Sequence, residues 1–151
     1  MKFNPQPKPE KKQKVKKPKK TTSDAILWRW FSIFIRLRDA DENGYCKCIT
    51  TGKIAHWKEM DAGHFISRRH WTTKYNEKNV HAQSRGANRF NQGMQFEYGL
   101  AIDRKYGKGT AENILNNSKM TTKKDSFTIQ TLTEYYKGKA KDLAKQKGQV
   151  I

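Results

Sequence analysis

All four prolines of this 151-residue chain, Pro5, Pro7, Pro9 and Pro18, fall within its first twenty residues, alongside nine lysines and a single glutamate. Proline withholds backbone donors, like charges repel, and almost nothing there is apolar enough to bury, so residues 1–21 are expected to be a disordered Lys/Pro-rich basic tail. Any core must be built from residue 22 onward. Two uses of the tail stay open: an arm that tracks phosphates or serves as a nuclear-type address, or a solubilising leader. The basic character continues past it, since Lys+Arg 32 against Asp+Glu 14 gives a formal charge of +18. Such a charge favours a polyanionic partner, nucleic acid above all, and disfavours small neutral or acidic metabolites. A hydrophobic content of 34% supports one modest core.

No apolar run approaches the ~20 residues of a membrane span. The most hydrophobic stretch, Ala25 to Leu37, is interrupted by Arg29, Ser32 and Arg36. No secretory pattern follows the charged start, and Cys46 and Cys48 are too close in sequence for an unstrained disulfide. A soluble protein of a reducing, cytoplasmic compartment is expected. Thr21 or Ser23 can cap a helix over about 24–38, in which Ile26, Leu27, Trp30, Phe31, Phe34 and Leu37 form one stripe. That stripe is either core or, less simply, a membrane-surface face. After a turn at 39–44, residues 45 to 91 read as short strands and polar loops. Helical spacing resumes through Phe96, Leu100, Ile102 and Tyr106, then in a short helix capped by Thr110. A polar linker at 116–126 leads to a last helix from about Thr128 to 147, with Ile129, Leu132, Tyr136, Ala140 and Leu143 on one face. The fold class is α+β.

Between residues 56 and 91 stand Asp61, His64, His70, Asn79, His81, Asn88 and Asn91. Singly each has an ordinary explanation, as a hydrogen-bonded histidine or a turn-forming asparagine. Their order is more telling. A histidine on a strand, an asparagine some fifteen residues later and a ligand-type side chain on a following helix is the layout of HNH nucleases, in which a ββα unit holds one divalent metal. Phosphodiester hydrolysis needs a base to deprotonate water and a cation to neutralise the phosphate and the leaving oxygen. Imidazole supplies the first, and carboxylate and amide oxygens suit Mg²⁺ or Mn²⁺, one per site, better than zinc.

The segment Trp57-Lys-Glu-Met-Asp-Ala-Gly-His-Phe65, then Lys74-Tyr-Asn-Glu-Lys-Asn-Val-His-Ala-Gln83, then Ala87-Asn88 and Gln92-Gly93, resembles the NinG (Rap) recombination proteins of tailed phages. With Phe34-Ile-Arg-Leu-Arg-Asp39 before the motif and Phe127-Thr-Ile129 after it, the resemblance covers roughly 30 to 143. It implies a single domain over 22–147, with an HNH-like ββα nuclease core at about 45–93 among packing helices. It also implies a metal-dependent endonuclease acting on branched DNA, such as Holliday junctions and displacement loops, in a bacterial host during phage infection. Carried over residue by residue, His64 is the general base, Asn79 its positioner, and Asn88 and Asp61 are metal ligands. His81 is a further ligand or a phosphate contact. Many HNH enzymes keep an aspartate directly before the base, where this chain has Gly63.

The family usually carries two cysteine pairs for a structural zinc. Those places here read Cys48-Ile-Thr-Thr51 and Ser84-Arg-Gly-Ala87, one ligand of four, so no structural zinc is expected. Packing by Trp57, Phe65, Trp71 and Phe90 should hold the unit instead. Arg68, Arg69, His70 and Lys74 suit DNA phosphates, Trp71 or Tyr75 could stack on an unpaired base, and Arg85 and Arg89 could clamp the scissile phosphate. The two cuts that resolve a four-way junction favour a homodimer, with the stripe of residues 27–37 as its candidate interface. No membrane partner is expected. The alternative is a non-catalytic branched-DNA or RNA binding protein on a degenerate HNH frame.

Overall fold

A computed structural model describes residues 22–151; the expectation for the basic tail falls outside them. Over the described residues the fold is mixed α+β, with six helices and two small antiparallel sheets.

Helix α1 spans Ser23–Arg38. Thr22 caps it by accepting the Ala25 N–H, Asp24 lies in the first turn, and Arg36 and Arg38 in the last, the charge order a helix dipole favours. Its apolar stripe, Leu27, Phe31, Phe34, Ile35 and Leu37, is buried. Helix α6, Ser126–Gln146, packs along it, capped by Asp125 and contributing Ile129, Tyr136 and Ala140. Phe31 meets the Tyr136 ring edge-on at 4.7 Å. The stripe is thus covered within the chain, which removes it as a dimer interface.

Strands β1 (Tyr45–Lys47) and β2 (Ile54–His56) form one hairpin. Strands β3 (Met60–His64) and β4 (Val80–Ser84) form the other, with Met60 opposite Ser84, Asp61 opposite Gln83, Gly63 opposite His81 and His64 opposite Val80. Side chains alternate across a strand, so this register assigns the two faces. Met60, Ala62, Val80 and Ala82 join the cores beneath α1. Gly63, His81 and Gln83 face the other way, toward α4 (Gln95–Tyr106). Short helices α2 (Trp71–Lys74) and α3 (Arg85–Phe90) follow β3 and β4, and α5 (Thr110–Ser118) packs on α4.

Arginines of α1 tie the hairpin to the helix. Arg38 donates to Glu77 O (2.8 Å), Val80 O (3.0 Å) and the Asp39 carboxylate, whose other oxygen accepts the Ala82 N–H at 2.8 Å. Arg36 donates to Trp57 O at 3.2 Å and lies over the Trp57 ring.

Two expectations about packing change. Phe90, assigned to the scaffold, is 82% exposed, whereas Trp57 is buried and Phe65 and Trp71 are half-buried. On α4 the buried residues are Tyr98, Ala101 and Ile102, which leaves Phe96 and Leu100 outside.

Candidate functional site

A cleft of about 630 Å³ runs between α1 and α3 beside β3, which pairs with β4. Trp28, Ser32 and Arg36, at four-residue spacing on α1, form one wall; Asn88 and Arg89 of α3 with Gln92, Gly93 and Gln95 form the other. Asp61 and His64 of β3, Arg68 and Arg85 complete the lining.

His64 ends β3. Its Nε2 lies 3.0 Å from Lys74 O. A carbonyl oxygen only accepts, so Nε2 carries the proton and Nδ1 keeps its lone pair. The ring stacks on Trp28 at 4.9 Å and 22°. Burial, reinforced by the charges of Arg68 and Lys74 and opposed by the bond to Lys74 O, pulls the imidazole pKa down to about 4. His64 is therefore neutral near pH 7, the state in which Nδ1 can take a proton.

Asn79 is fully buried, and none of its side-chain hydrogen bonds goes to the imidazole. Its Oδ1 accepts the Ile66 N–H at 2.7 Å, and its Nδ2 donates to Ile66 O and Thr73 O, both at 2.9 Å. It staples the segment after His64 to the turn that carries Lys74 O, and so places the ring's acceptor indirectly.

Asp61 and Asn88 meet: Asn88 Nδ2 donates to Asp61 Oδ2 at 2.9 Å. Arg89 holds the same carboxylate through both oxygens, at 2.9 and 3.1 Å, and Arg85 lies 3.8 Å away. Burial works against ionisation of Asp61, but the hydrogen bonds from Arg89 and Asn88 and the arginine charges outweigh it, and its pKa lies below the ordinary carboxylate value. Gln83, opposite Asp61, occupies the space a side chain at Gly63 would need; its Nε2 donates to Gly93 O and Thr50 Oγ1, and its buried Oε1 has no protein partner. The oxygen-bearing side chains here, the Asp61 carboxylate and the Asn88 amide, are of the type that fits Mg²⁺ or Mn²⁺ better than zinc, and in this structure the carboxylate is taken by Asn88 Nδ2 and Arg89. Among the described residues no group of three or more His, Cys, Asp or Glu side chains is placed to hold a metal.

His81 is not in this cleft. It is 1% exposed, with Nδ1 3.2 Å from Tyr98 Oη and Nε2 2.8 Å from Tyr106 Oη. Tyr98 donates its own proton to Gly63 O at 2.8 Å. His81 Nδ1–H must then donate to Tyr98, and Nε2 accepts from Tyr106. With both nitrogens engaged, the expected ligand or phosphate contact gives way to a chain of bonds that anchors the backbone next to His64. Burial pulls its pKa down to about 3.

The expected DNA contacts divide. Arg68, Arg85 and Arg89 are exposed and line the cleft; Arg69 is exposed beside it, near Thr22 and Asp24. Lys74 is not free for phosphate, because its Nζ pairs with Asp24 at 2.7 Å. Trp71 packs edge-on against Tyr75 at 5.4 Å, with Lys124 over its ring. His70 Nδ1 donates to Ser118 O at 3.0 Å, which turns it to α5. Trp28, Ser32, Arg36 and Gln83 were not anticipated here. For the three residues of α1 a signal was present, since Ser32 and Arg36, two of the three polar residues that interrupt the apolar run, share a stripe with Trp28; no such signal marked Gln83 on β4.

The positions of the family's cysteine pairs also converge. Cys48 Sγ accepts the Ser84 N–H at 3.2 Å and lies 3.6 Å from Ser84 Oγ and 3.4 Å from Thr50 Oγ1, with Ala87 buried in the same cluster. Hydrogen bonds between thiol, hydroxyl and backbone now join β1 to the β4–α3 junction.

No helix of the described residues is long and apolar enough to cross a membrane. Comparison with curated proteins and with solved structures gave no match. Among known families, Bacteriophage Lambda NinG protein matches residues 4–146, a span that contains the whole cleft. The chain belongs to the NinG family.

Proposed function

We propose that this chain is a structure-selective endonuclease that hydrolyses phosphodiester bonds in branched DNA recombination intermediates, Holliday junctions and displacement loops among them. Membership of the NinG family connects it with phage recombination. What carries the nuclease reading is His64: a neutral imidazole with its Nε2 proton spent on Lys74 O, lining a cleft with four arginines and an Asp–Asn pair. Two antiparallel strands followed directly by a helix support an HNH-type ββα unit.

In this reading Arg36, Arg68, Arg85 and Arg89 draw the phosphodiester into the cleft, and its charge raises the proton affinity of the adjacent imidazole. His64 Nδ1 removes a proton from the attacking water. Asp61 and the Asn88 side-chain oxygen would hold one Mg²⁺ or Mn²⁺, which when bound neutralises charge on the phosphate and the leaving oxygen. Arg89, released from Asp61, pairs with the phosphate. The active unit is a homodimer that makes the two symmetric cuts, and it works in the bacterial cytoplasm.

The test is cleavage of a labelled four-way junction with Mg²⁺ or Mn²⁺. Wild type should cut it and His64→Ala should not. A second reading, a non-catalytic branched-DNA or RNA binding protein, draws on the engagement of both Asp61 oxygens by Arg89 and Asn88, which leaves no open carboxylate for a metal. Failure of wild type to cut with either metal, or equal cutting by His64→Ala, selects that second reading.

A further inference from the structure

Two phenylalanines whose chain neighbours Arg89 and Gln95 line the cleft are left outside the core. Phe90 ends α3 and is 82% exposed; Phe96 is the second residue of α4 and is 75% exposed. Between them the backbone passes through three consecutive left-handed residues, Gln92 (φ 50°), Gly93 (φ 76°) and Met94 (φ 50°). Glycine adopts this region freely, but two neighbours with side chains do so at a cost. The turn is nevertheless held. Gly93 N–H donates to Ala87 O (3.1 Å), Met94 N–H to Asn91 O (2.8 Å) and Tyr98 N–H to Met94 O (2.9 Å), while Gln83 Nε2 donates to Gly93 O (2.8 Å). This strained and firmly tied turn buries Gly93 and packs Met94 against the core, yet it leaves the two aromatic rings that flank it in solvent, where they add nothing to that packing.

The neighbours of these rings indicate what covers them. Arg89 directly precedes Phe90, Gln95 directly precedes Phe96, and Gln92, Gly93, Gln95, Arg85 and Arg89 all line the cleft. An occupant that reaches from the arginine-lined cleft to exposed rings on the chain bordering it offers flat π-faces joined to negative charge, the chemistry of a nucleobase on its phosphate. In continuous duplex the base faces are hidden in the stack. At a branch point they are open, or can be unstacked at small cost. The other aromatic candidates for stacking are engaged: Trp28, in the cleft wall, lies on His64, Trp71 lies against Tyr75 and under Lys124, and the Tyr75 hydroxyl donates to Asp24.

We propose that Phe90 and Phe96 form a stacking wedge for the exposed bases of a DNA branch point, and so set the preference of this chain for branched over linear DNA. The proposal rests on the reading of the cleft as a DNA-backbone site. It assigns recognition of DNA shape to two rings outside the reaction centre.

The test compares binding of a four-way junction and of a linear duplex of equal length, with chelator present so that no cutting occurs. It uses the full chain as wild type, as Phe90→Ala/Phe96→Ala, and as Phe90→Trp/Phe96→Trp. Both rings are exposed, so the melting temperature should stay close to that of wild type in each. The alanine pair should lose at least tenfold more affinity for the junction than for the duplex, and the tryptophan pair should restore the preference. An unchanged junction-to-duplex ratio in the alanine pair overturns the wedge while leaving the cleft reading intact. So does light scattering that shows a wild-type oligomer broken by the alanine pair, which would make the rings a protein interface. If wild type binds neither DNA, the wedge and the cleft reading fall together.

Discussion

Between pH 7 and pH 5 the folded chain is expected to lose about 4 kcal/mol of stability through two buried imidazoles. An exposed histidine titrates near 6.5, whereas burial holds His64 at about 4 and His81 at about 3. For both, the folded pKa lies below the unfolded one, so in this window the unfolded chain binds protons that the folded chain refuses. The stability is fully present above the unfolded value and is lost as the pH falls from there toward the folded values. At pH 5 the unfolded imidazole is about 97% protonated and the folded one hardly at all, which costs about 2 kcal/mol per histidine relative to pH 7. Carboxylates contribute little in this window: Asp24, held at about 2, has an ordinary value of 3.8, already below pH 5. Urea denaturation midpoints at the two pH values and constant ionic strength give the loss directly. His81→Phe removes one of the two imidazoles and should reduce the loss by about 2 kcal/mol. Equal stability of wild type at both pH values, or a loss in His81→Phe as large as in wild type, would refute the assignment of buried neutral imidazoles.

Gly63→Ala should destabilise by about 1–3 kcal/mol through overpacking, since its β-carbon meets the Gln83 side chain, and adding Gln83→Ala should recover part of that; a single variant that melts like wild type contradicts the packing. Trp28→Ala opens one face of His64, so its imidazole should titrate closer to 6.5 by NMR; an unmoved titration means the stack contributes nothing to its desolvation. Burial raises both thiols, but the Ser84 N–H and the Thr50 and Thr51 hydroxyls bring Cys48 to about 6, while Cys46 is pushed up to about 12. Both thiols are buried, so iodoacetamide near neutral pH should react slowly, with Cys48 ahead of Cys46, and equal rates at the two would count against this.

Local pattern was a good guide wherever one helix face decides. The stripe from Leu27 to Leu37 predicts a helix over about 24–38 and α1 spans Ser23–Arg38; the last helix begins at Ser126 rather than Thr128 because Asp125 caps it. Residue order also brought Asp61, His64 and Asn88 to one cleft. What pattern could not supply are bonds between distant segments. His81 resembles a ligand until Tyr98 and Tyr106, 17 and 25 residues further on, take both its nitrogens. Lys74 resembles a phosphate contact until Asp24, 50 residues earlier, claims its charge. On α4, Phe96 and Leu100 fit the apolar period as well as Tyr98 and Ile102 do, and only the sheet beneath decides which pair is buried.

The parallel pairing of α1 with α6, which starts near Asp24 through Lys124 and ends near Leu37, joins the first and last helices of the described chain. Lys147 reinforces it by donating to Leu37 O and Ala40 O, and Gln149 by accepting the Trp57 indole proton. A ribosome therefore exposes Phe31, Phe34 and Ile35 long before it makes the segment that covers them. Chains released before about residue 126 carry a naked aromatic helix, a natural target for chaperones and proteases, so yield in the cell depends on the speed with which synthesis passes α6.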